Sequence, residues 1–312
     1  MTDRRWTARQ FHNQPELSHQ HRFLVAMWEA VGRETGGRIA VSVHAENGGI
    51  AGSDPAALAM LQRGEIEFFT VMGGILGSVV PAMAIQGLPF AFARHEQVHR
   101  ANDGALGAYL ARECAAHGIH RFQAGLLENG FRHLCMVERP VQTEVDLEGL
   151  RLRVPNGRMF RDFFTALGAE PVVVNINGLY DALRQRRVDG HENPLVITEF
   201  NKLYEVTRAV SLSAHMWSGF NLVAHLPFWR SLPEAVQAII ERQVTATSLA
   251  QRAYTDALNR TLETTLAGRG LQINAADLSG ARPKLAALCR RWRTELGATA
   301  WGLLEAEVGP LA

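Results

Sequence analysis

The sequence predicts an α/β fold in two lobes, with a cleft between them and one long helix tying the lobes together. Three observations carry this. From Trp6 to Leu76 strand-like and helix-like patterns alternate, the rhythm of a sheet with parallel strands. The same rhythm restarts after Gly130. Between Glu234 and about Ala267 no Gly or Pro interrupts a helical pattern, a length few globular helices reach unless they span more than one lobe.

Trp6 to Phe11 reads as a first strand. Leu24, Met27, Trp28 and Val31 then recur at helical spacing after Ser18, and Thr35-Gly36-Gly37 stops that helix. Ile39, Val41 and Val43 alternate with smaller or polar residues, a half-buried strand. After the loop Gly48 to Asp54, Ser53 or Asp54 is expected to cap a helix bearing Leu58 and Leu61, which Gly64 ends. Ile66 to Met72 is an apolar strand, and Met72-Gly73-Gly74 is expected to be a tight turn. In the second block, Leu150 to Val154 is a strand and Phe160, Phe163, Phe164 and Leu167 form a helix face closed by Gly168. Pro171 to Val174 is a strand, Asn177 is expected to cap a helix carrying Leu179, Tyr180 and Leu183, and Val188 begins another strand. Ser231-Leu232-Pro233-Glu234 has the spacing of a capping box for the long helix. Towards the C-terminus Leu285, Leu288, Cys289, Trp292 and Leu296 share one helix face.

Composition narrows the function. Of 312 residues, 47% are hydrophobic and 20% charged, as in globular chains. The net charge is +1, with no clustered Lys/Arg stripe, which argues against nucleic acid as a partner. Cys114, Cys135 and Cys289 are too dispersed for a zinc site or a disulfide framework. No apolar run approaches the roughly 20 residues of a membrane span. The stretch Met1 to Trp6 has no apolar core of a secretory signal, which leaves a cytoplasmic protein or a mature form as alternatives.

Enzyme motifs are absent: there is no HExxH, GxSxG, P-loop or strand-linked GxGxxG. Asp189 with His191 lacks a nearby nucleophile, so binding is the better reading than catalysis. The informative segments are Asp146 to Asn156, which ends Leu152-Arg153-Val154-Pro155-Asn156, and Val188-Asp189-Gly190-His191-Glu192-Asn193-Pro194. Each is a short strand closed by a turn, and ligands of open α/β sheets sit beyond such strand ends. Arg153 is the natural clamp for a carboxylate, because a guanidinium meets it with two parallel hydrogen bonds. Arg132 is a second candidate. Asn193, preset by Pro194, can donate to a carboxylate or hydroxyl, whereas Glu192 reads as structural because it would repel an anion. Trp217, in Met216-Trp217-Ser218-Gly219, is placed to stack on a ligand or to fill the core.

These segments, with Thr35 to Ile39, Leu61 to Glu67, Leu88-Pro89-Phe90-Ala91-Phe92 and Leu179-Tyr180-Asp181-Ala182-Leu183, resemble the periplasmic solute-binding proteins of TRAP transporters, the DctP-like family, nearly end to end. The resemblance implies a two-lobe, type II-like periplasmic binding fold that closes on an organic acid. It puts residues 1–128 with 215–252 in lobe I and 129–214 with 253–312 in lobe II. It implies delivery to the small and large subunits of a sodium-coupled membrane permease, a periplasmic location with the signal peptide removed, and neither a metal nor a cofactor. The other classes open are a cytoplasmic carboxylate-processing α/β enzyme and a sensor module that passes its closed state to a receptor.

By this resemblance Arg153 pairs with the ligand carboxylate and Arg132 assists. Asn193 and Asn156 contact the ligand, and Asn13 and Asp54 match positions that touch ligand or water in some members. The sequence departs from the family at Met72-Gly73-Gly74-Ile75, which lacks the polar groups of sialic-acid binders, at Ile176, where an aromatic can stand, and at His191, where Gln is usual. Met72, Phe69, Ile176 and Trp217 lean toward an apolar slot for an aromatic or other compact monocarboxylate, and Gly73 beside Met72 is a further candidate ligand contact. The alternative is a sugar acid, a uronate or aldonate, which needs several hydrogen-bond partners.

Overall fold

The computed structural model describes residues 4–311. Met1 to Asp3 and Ala312, at the ends of the N-terminal stretch and of the expected lobe segments, lie outside them. The first half runs β1 (Trp6–His12), α1 (His19–Glu34), β2 (Ile39–His44), α2 (Ser53–Arg63), β3 (Phe68–Met72), α3 (Gly73–Leu76), α4 (His95–Asp103), α5 (Ala105–Ala116) and β4 (Ile119–Met136). Then come β5 (Arg151–Val154), α6 (Arg158–Ala166), β6 (Glu170–Val173), α7 (Leu179–Arg184), β7 (Gly190–Asn193), α8 (Leu195–Phe200) and β8 (Ala209–His225). The chain closes with α9 (Leu226–Ser231), α10 (Glu234–Gly268), β9 (Gln272–Ala275), α11 (Ala281–Leu296) and α12 (Ala298–Val308).

The strands form one sheet in the order β2-β1-β3-β8-β4-β7-β5-β6, with β9 beside β8. Within each half the expected parallel pairing holds: β1 lies parallel to β2 and β3, and β5 to β6 and β7. The long antiparallel strands β4 and β8 join the halves. One end of β8 pairs with β3 and the other with β9, while β4 passes from β8 alone to β8 and β7. Register shifts at Glu128/Gly130 and Arg132/Leu134 bulge this pair where it passes between the halves.

The long helix is present. α10 has 35 residues, roughly 52 Å at 1.5 Å per residue. Its Val236, Ile240 and Val244 enter the larger apolar core, and its Leu262 and Leu266 enter a second core with Leu179, Leu183 and Leu195. Between them it buries Ser248, Gln251, Arg252 and Thr255. The Gln251 amide holds both backbone groups of Glu128, the N–H at 2.7 Å and the carbonyl at 2.8 Å. One continuous helix thus packs against both ends of the sheet and its bulged middle.

The expected caps fail for local reasons. Ser231 ends α9 by donating to Phe228 O, so Pro233 begins α10 and no capping box forms. Gly52, not Ser53 or Asp54, caps α2, because the Asp54 carboxylate is taken by Asn13 and Asn47. Gly178 caps α7, and Asn177 instead donates to Glu46 O. Met72-Gly73-Gly74 runs straight into the single turn α3 rather than a tight turn. Gly168 closes its helix in the left-handed conformation (φ 84°) as expected.

Gly190 has a packing reason. A β-carbon there would lie 2.5 Å from Met136 Sδ and 2.7 Å from Cys135 O, so β7 reaches β4 only with glycine at this point. Gly190→Ala is expected to destabilise the protein by about 1–3 kcal/mol through overpacking, read as a lower urea midpoint at unchanged slope. An unchanged midpoint would mean that β4 moves aside freely.

Candidate functional site

The strand ends converge on one cavity where the halves of the sheet meet. Its wall is built from Asn13 and Gln14 after β1, Asp54 of α2, Met72 ending β3, Ile75 of α3, and Asn129 and Arg132 of β4. From the other side come Arg153, Pro155 and Asn156 at the end of β5, Asn175 and Ile176 after β6, Asn193 ending β7 and Ile197 of α8, with Phe220 of β8. About 30 Å³ is open to the centres of water molecules. The two sides touch at the mouth, where Asn175 Nδ2 donates to Gly52 O (3.2 Å) and Asn177 Nδ2 to Glu46 O (3.3 Å).

Arg153 is 2% exposed. Its Nε donates to Val174 O at 2.8 Å, which fixes the fork. Among the described residues its two terminal nitrogens have no hydrogen-bond acceptor, and the side chain lines the cavity. Burial lowers its pKa to about 10, so it stays charged at neutral pH. A buried cation with two free donor nitrogens is a binding site for an anion of matching fork geometry.

Arg132 is different, because its donors are spent within the protein. It forms a two-armed ion pair with Glu192, both residues at most 1% exposed. It also donates to Glu192 O (2.7 Å), Asn193 Oδ1 (3.1 Å) and Ser218 Oγ (3.2 Å). Burial works to raise the Glu192 carboxyl, yet Arg132 and then His215 outweigh it and hold its pKa near 2. The structural reading of Glu192 fits this pair: it cancels Arg132 and leaves Arg153 as the cavity's unpaired cation. Removing one partner of such a pair strands a buried charge. Arg132→Met is expected to cost about 3–5 kcal/mol in urea unfolding, and Arg132→Met with Glu192→Leu to recover most of it. If the double variant is no better than the single, the ion pair is not the source of the loss.

Asp54 faces the cavity at 3% exposure and accepts amide hydrogens from Asn13 (2.7 Å) and Asn47 (2.8 Å). Burial raises its pKa, against those hydrogen bonds and the Arg153 charge. Asn193 is oriented from both ends. Arg132 can only donate, so Asn193 Oδ1 faces it, and Asn193 Nδ2 therefore points at His191 Nδ1 (3.0 Å).

Of the residues expected from sequence, Arg153, Arg132, Asn193, Asn156, Met72, Ile176, Asn13 and Asp54 meet at this cavity. Trp217, Phe69 and Gly73 do not line it. Trp217 is 1% exposed, packs edge-on to Phe92 and donates its indole N–H to Glu128 (2.7 Å). Phe69 lies one residue out of phase with Met72 and so points to the opposite face of β3. Gly73 packs against the Gln86 side chain. Gln14, Ile75, Asn129, Pro155, Asn175, Ile197 and Phe220 were not foreseen. Asn175 and Gln14 had a signal, since each adjoins a residue already singled out; Ile197 and Phe220 had none. Among the described residues no His/Cys/Asp/Glu group of three or more could hold a metal, and no helix is long and apolar enough to cross a membrane.

Known proteins agree with this architecture. Residues 11–295 match the DctP family, bacterial extracellular solute-binding protein family 7. The chain is 35% identical over 189 residues to the uncharacterised protein y4mM of Sinorhizobium fredii, covering 61% of this chain and 34% of that one. It is 26% identical to the C4-dicarboxylate-binding protein DctB of Bacillus subtilis, over 74% of this chain and 65% of that one. It thus spans less than two thirds of these two relatives. A solved TRAP periplasmic solute-binding protein from Polaromonas sp. JS666, bound to D-erythronate, superposes with a TM-score of 0.90 at 25% identity, over 98% of this chain and 99% of that one. These matches set aside the carboxylate-processing enzyme as a reading. With a family match running from β1 into α11 and a two-lobe fold shared along the whole chain, this protein belongs to the DctP family of bacterial extracellular solute-binding proteins, a family of transport binding proteins rather than enzymes.

Proposed function

We propose that this chain captures a hydroxylated carboxylate, a sugar acid, between its lobes and delivers it to a TRAP membrane permease of small and large subunits. The observation that carries the reading is one buried, unpaired guanidinium set among amide and carboxyl side chains. Arg153 takes the carboxylate; Asn13, Gln14, Asp54, Asn129, Asn156 and Asn175 supply partners for hydroxyls. A flat aromatic acid needs a clamp and an apolar slot, and two of the residues that suggested such a slot, Phe69 and Trp217, stand outside the wall. Met72, Ile75, Ile176, Ile197 and Phe220 remain to pack against the carbon chain. The D-erythronate bound by the Polaromonas relative supports the sugar-acid reading. Capture then follows from closure: the two lobes swing about the bulged crossing of β4 and β8, and the amides of Asn175 and Asn177 latch onto the opposite loop.

A thermal-shift and calorimetry panel of aldonates, uronates, C4-dicarboxylates and benzoates tests this. At 100 times its dissociation constant a ligand adds about 2.7 kcal/mol of stability. Hydroxylated monocarboxylates are expected to give the largest shifts. Shifts from benzoates alone would return the apolar-slot reading to first place.

A further inference from the structure

Asp54, on the first turn of α2, is 3% exposed and lines the cavity together with Arg153. Its hydrogen-bond partners are amides. Asn13, after β1, donates to Oδ2 at 2.7 Å, and Gln14 holds Asn13 in turn by donating to its Oδ1 at 2.7 Å. Asn47, in the loop after β2, donates to Asp54 Oδ1 at 2.8 Å and to Ser53 Oγ at 3.1 Å. The charge that bears on Asp54 is that of Arg153, from β5 on the other side of the cleft. His12, one residue before Asn13, turns to His21 instead, and Glu46, beside Asn47, is exposed.

Among the described residues, the ionisable side chains of the wall are Asp54, Arg132 and Arg153. Glu192 neutralises Arg132, so the empty cavity holds one cation and one carboxyl group. A carboxylate that takes the fork of Arg153 leaves an ionised Asp54 as a net negative charge in a buried space. Such a charge is costly unless it is neutralised. Burial already raises the Asp54 pKa, against the two amide bonds and the Arg153 charge. A ligand anion cancels the help from Arg153 and adds repulsion of its own, and both effects favour the protonated carboxyl. The proton also has an acceptor to face. Asn47 Oδ1 is buried without a hydrogen-bond partner. With that amide turned over, it accepts from a protonated Asp54 Oδ1.

We propose that Asp54 takes up a proton as the carboxylate settles on Arg153, so that the site captures an acid anion together with one proton. This rests on the reading of Arg153 as the carboxylate clamp, whichever acid is bound. The proton comes from solvent, adds to one Asp54 oxygen and returns to solvent when the ligand leaves. No other bond is made or broken.

The test is calorimetry with D-erythronate and a six-carbon aldonate from about pH 5 to 9, where the ligand carboxylate stays ionised. Each titration is run in buffers of different ionisation enthalpy, which counts the protons taken up. The parent is expected to take up close to one proton per ligand at its maximum, with affinity falling by up to about tenfold per pH unit as pH rises through that region. Asp54→Asn is expected to bind with no proton uptake and a flat affinity. No uptake by the parent at any pH, or uptake that persists in Asp54→Asn, overturns the proposal. If the parent binds neither acid, the sugar-acid reading fails separately. In that case, or if Asp54→Asn does not fold or bind, a carbon-13 NMR titration of Asp54 in ligand-free protein still decides. The Asp54 carboxyl is expected to titrate about one pH unit higher or more in Arg153→Met than in the parent. The same midpoint in both would mean that Arg153 does not hold Asp54 ionised, and the proposal falls.

Discussion

Arg153→Ala is expected to abolish useful affinity for the carboxylate ligand while leaving the empty protein folded. In the parent, the fork of Arg153 is held by one bond to Val174 O and spends no other donor on the protein. Truncation therefore breaks no ion pair within the protein. The fold loses about one hydrogen bond, on the order of 0.5–1.5 kcal/mol. The ligand loses the one unpaired counter-charge among the described residues of the wall and is left facing Asp54, whose carboxyl lies on the same wall. Removing one side of a buried charge pair costs about 2–5 kcal/mol or more, or roughly 30-fold to several thousand-fold in the dissociation constant. Arg153→Lys keeps the charge but not the two-armed geometry and is expected to recover only part. Arg132→Met should do the reverse, with a large loss of stability and an affinity that falls because the site is disordered. Equal ligand affinity for Arg153→Ala and the parent, measured by calorimetry on folded protein, would remove Arg153 as the clamp.

Why Arg153 was legible, and much of its surroundings was not, is a matter of sequence distance. Arg153 announces itself by standing between Leu152 and Val154 at the end of an apolar strand, before a proline. Asn193 does so in the same way, and the long helix declares itself by what it lacks, an internal Gly or Pro. The joining strands β4 and β8 give no such signal. β4 carries His120, Arg121, Glu128, Asn129 and Arg132 inside a strand that is mostly buried, and its bulges reset the two-residue alternation more than once. Its charges are tolerable only because partners arrive from far away: Glu192 for Arg132, and His95, His99 and Trp217 for Glu128. The same cause misplaced Trp217. An aromatic at a crossover looks like a stacking platform until Glu128, 89 residues earlier, is seen to hold its indole nitrogen. The polar wall was hidden for another reason. Single asparagines such as Asn129 and Asn175 in loop-like contexts read as turn formers, and only the convergence of strand ends makes them a ring around one space.

The second large effect is loss of stability in mild acid, and its main source is four imidazoles that the fold keeps neutral, His12, His19, His133 and His191. His12 accepts the Gln14 backbone N–H at Nδ1 (3.2 Å), so its proton sits on Nε2, facing His21 Nδ1 at 2.9 Å. His19 Nε2 faces Gln251 Nε2 and Thr255 Oγ1, both at 3.2 Å, and His133 Nδ1 accepts the Ala214 backbone N–H at 3.2 Å. His191 Nδ1 faces the Asn193 amide nitrogen, which Arg132 orients. In His12, His133 and His191 one nitrogen must accept, so a second proton has no place there. Burial, the main cause in all four, lowers their pKa values to about 3, 4, 3 and 3 for His12, His19, His133 and His191. The unfolded chain takes these protons near pH 6.5, so it binds more protons than the fold between about pH 6.5 and 3–4. Stability is therefore full above pH 6.5 and falls as pH drops, by up to about 1.4 kcal/mol per pH unit for each ring. His95 works in the opposite sense: burial opposes its charge, but Glu128 leaves its pKa raised, so its contribution is lost as pH rises and offsets part of the slope. Glu128 and Glu192 are held near 2 and keep their contribution until pH falls below the ordinary carboxylate range, so they do not enter the window from 7.5 to 5. Urea midpoints are expected to fall steeply across that window. His191→Gln, whose amide oxygen can accept from Asn193 without titrating, is expected to shallow the fall by about a quarter. A flat profile in the parent would mean that these rings find room for a second proton, and that the polar contacts fixing Asn193, and with it one wall of the cavity, are looser than their geometry implies.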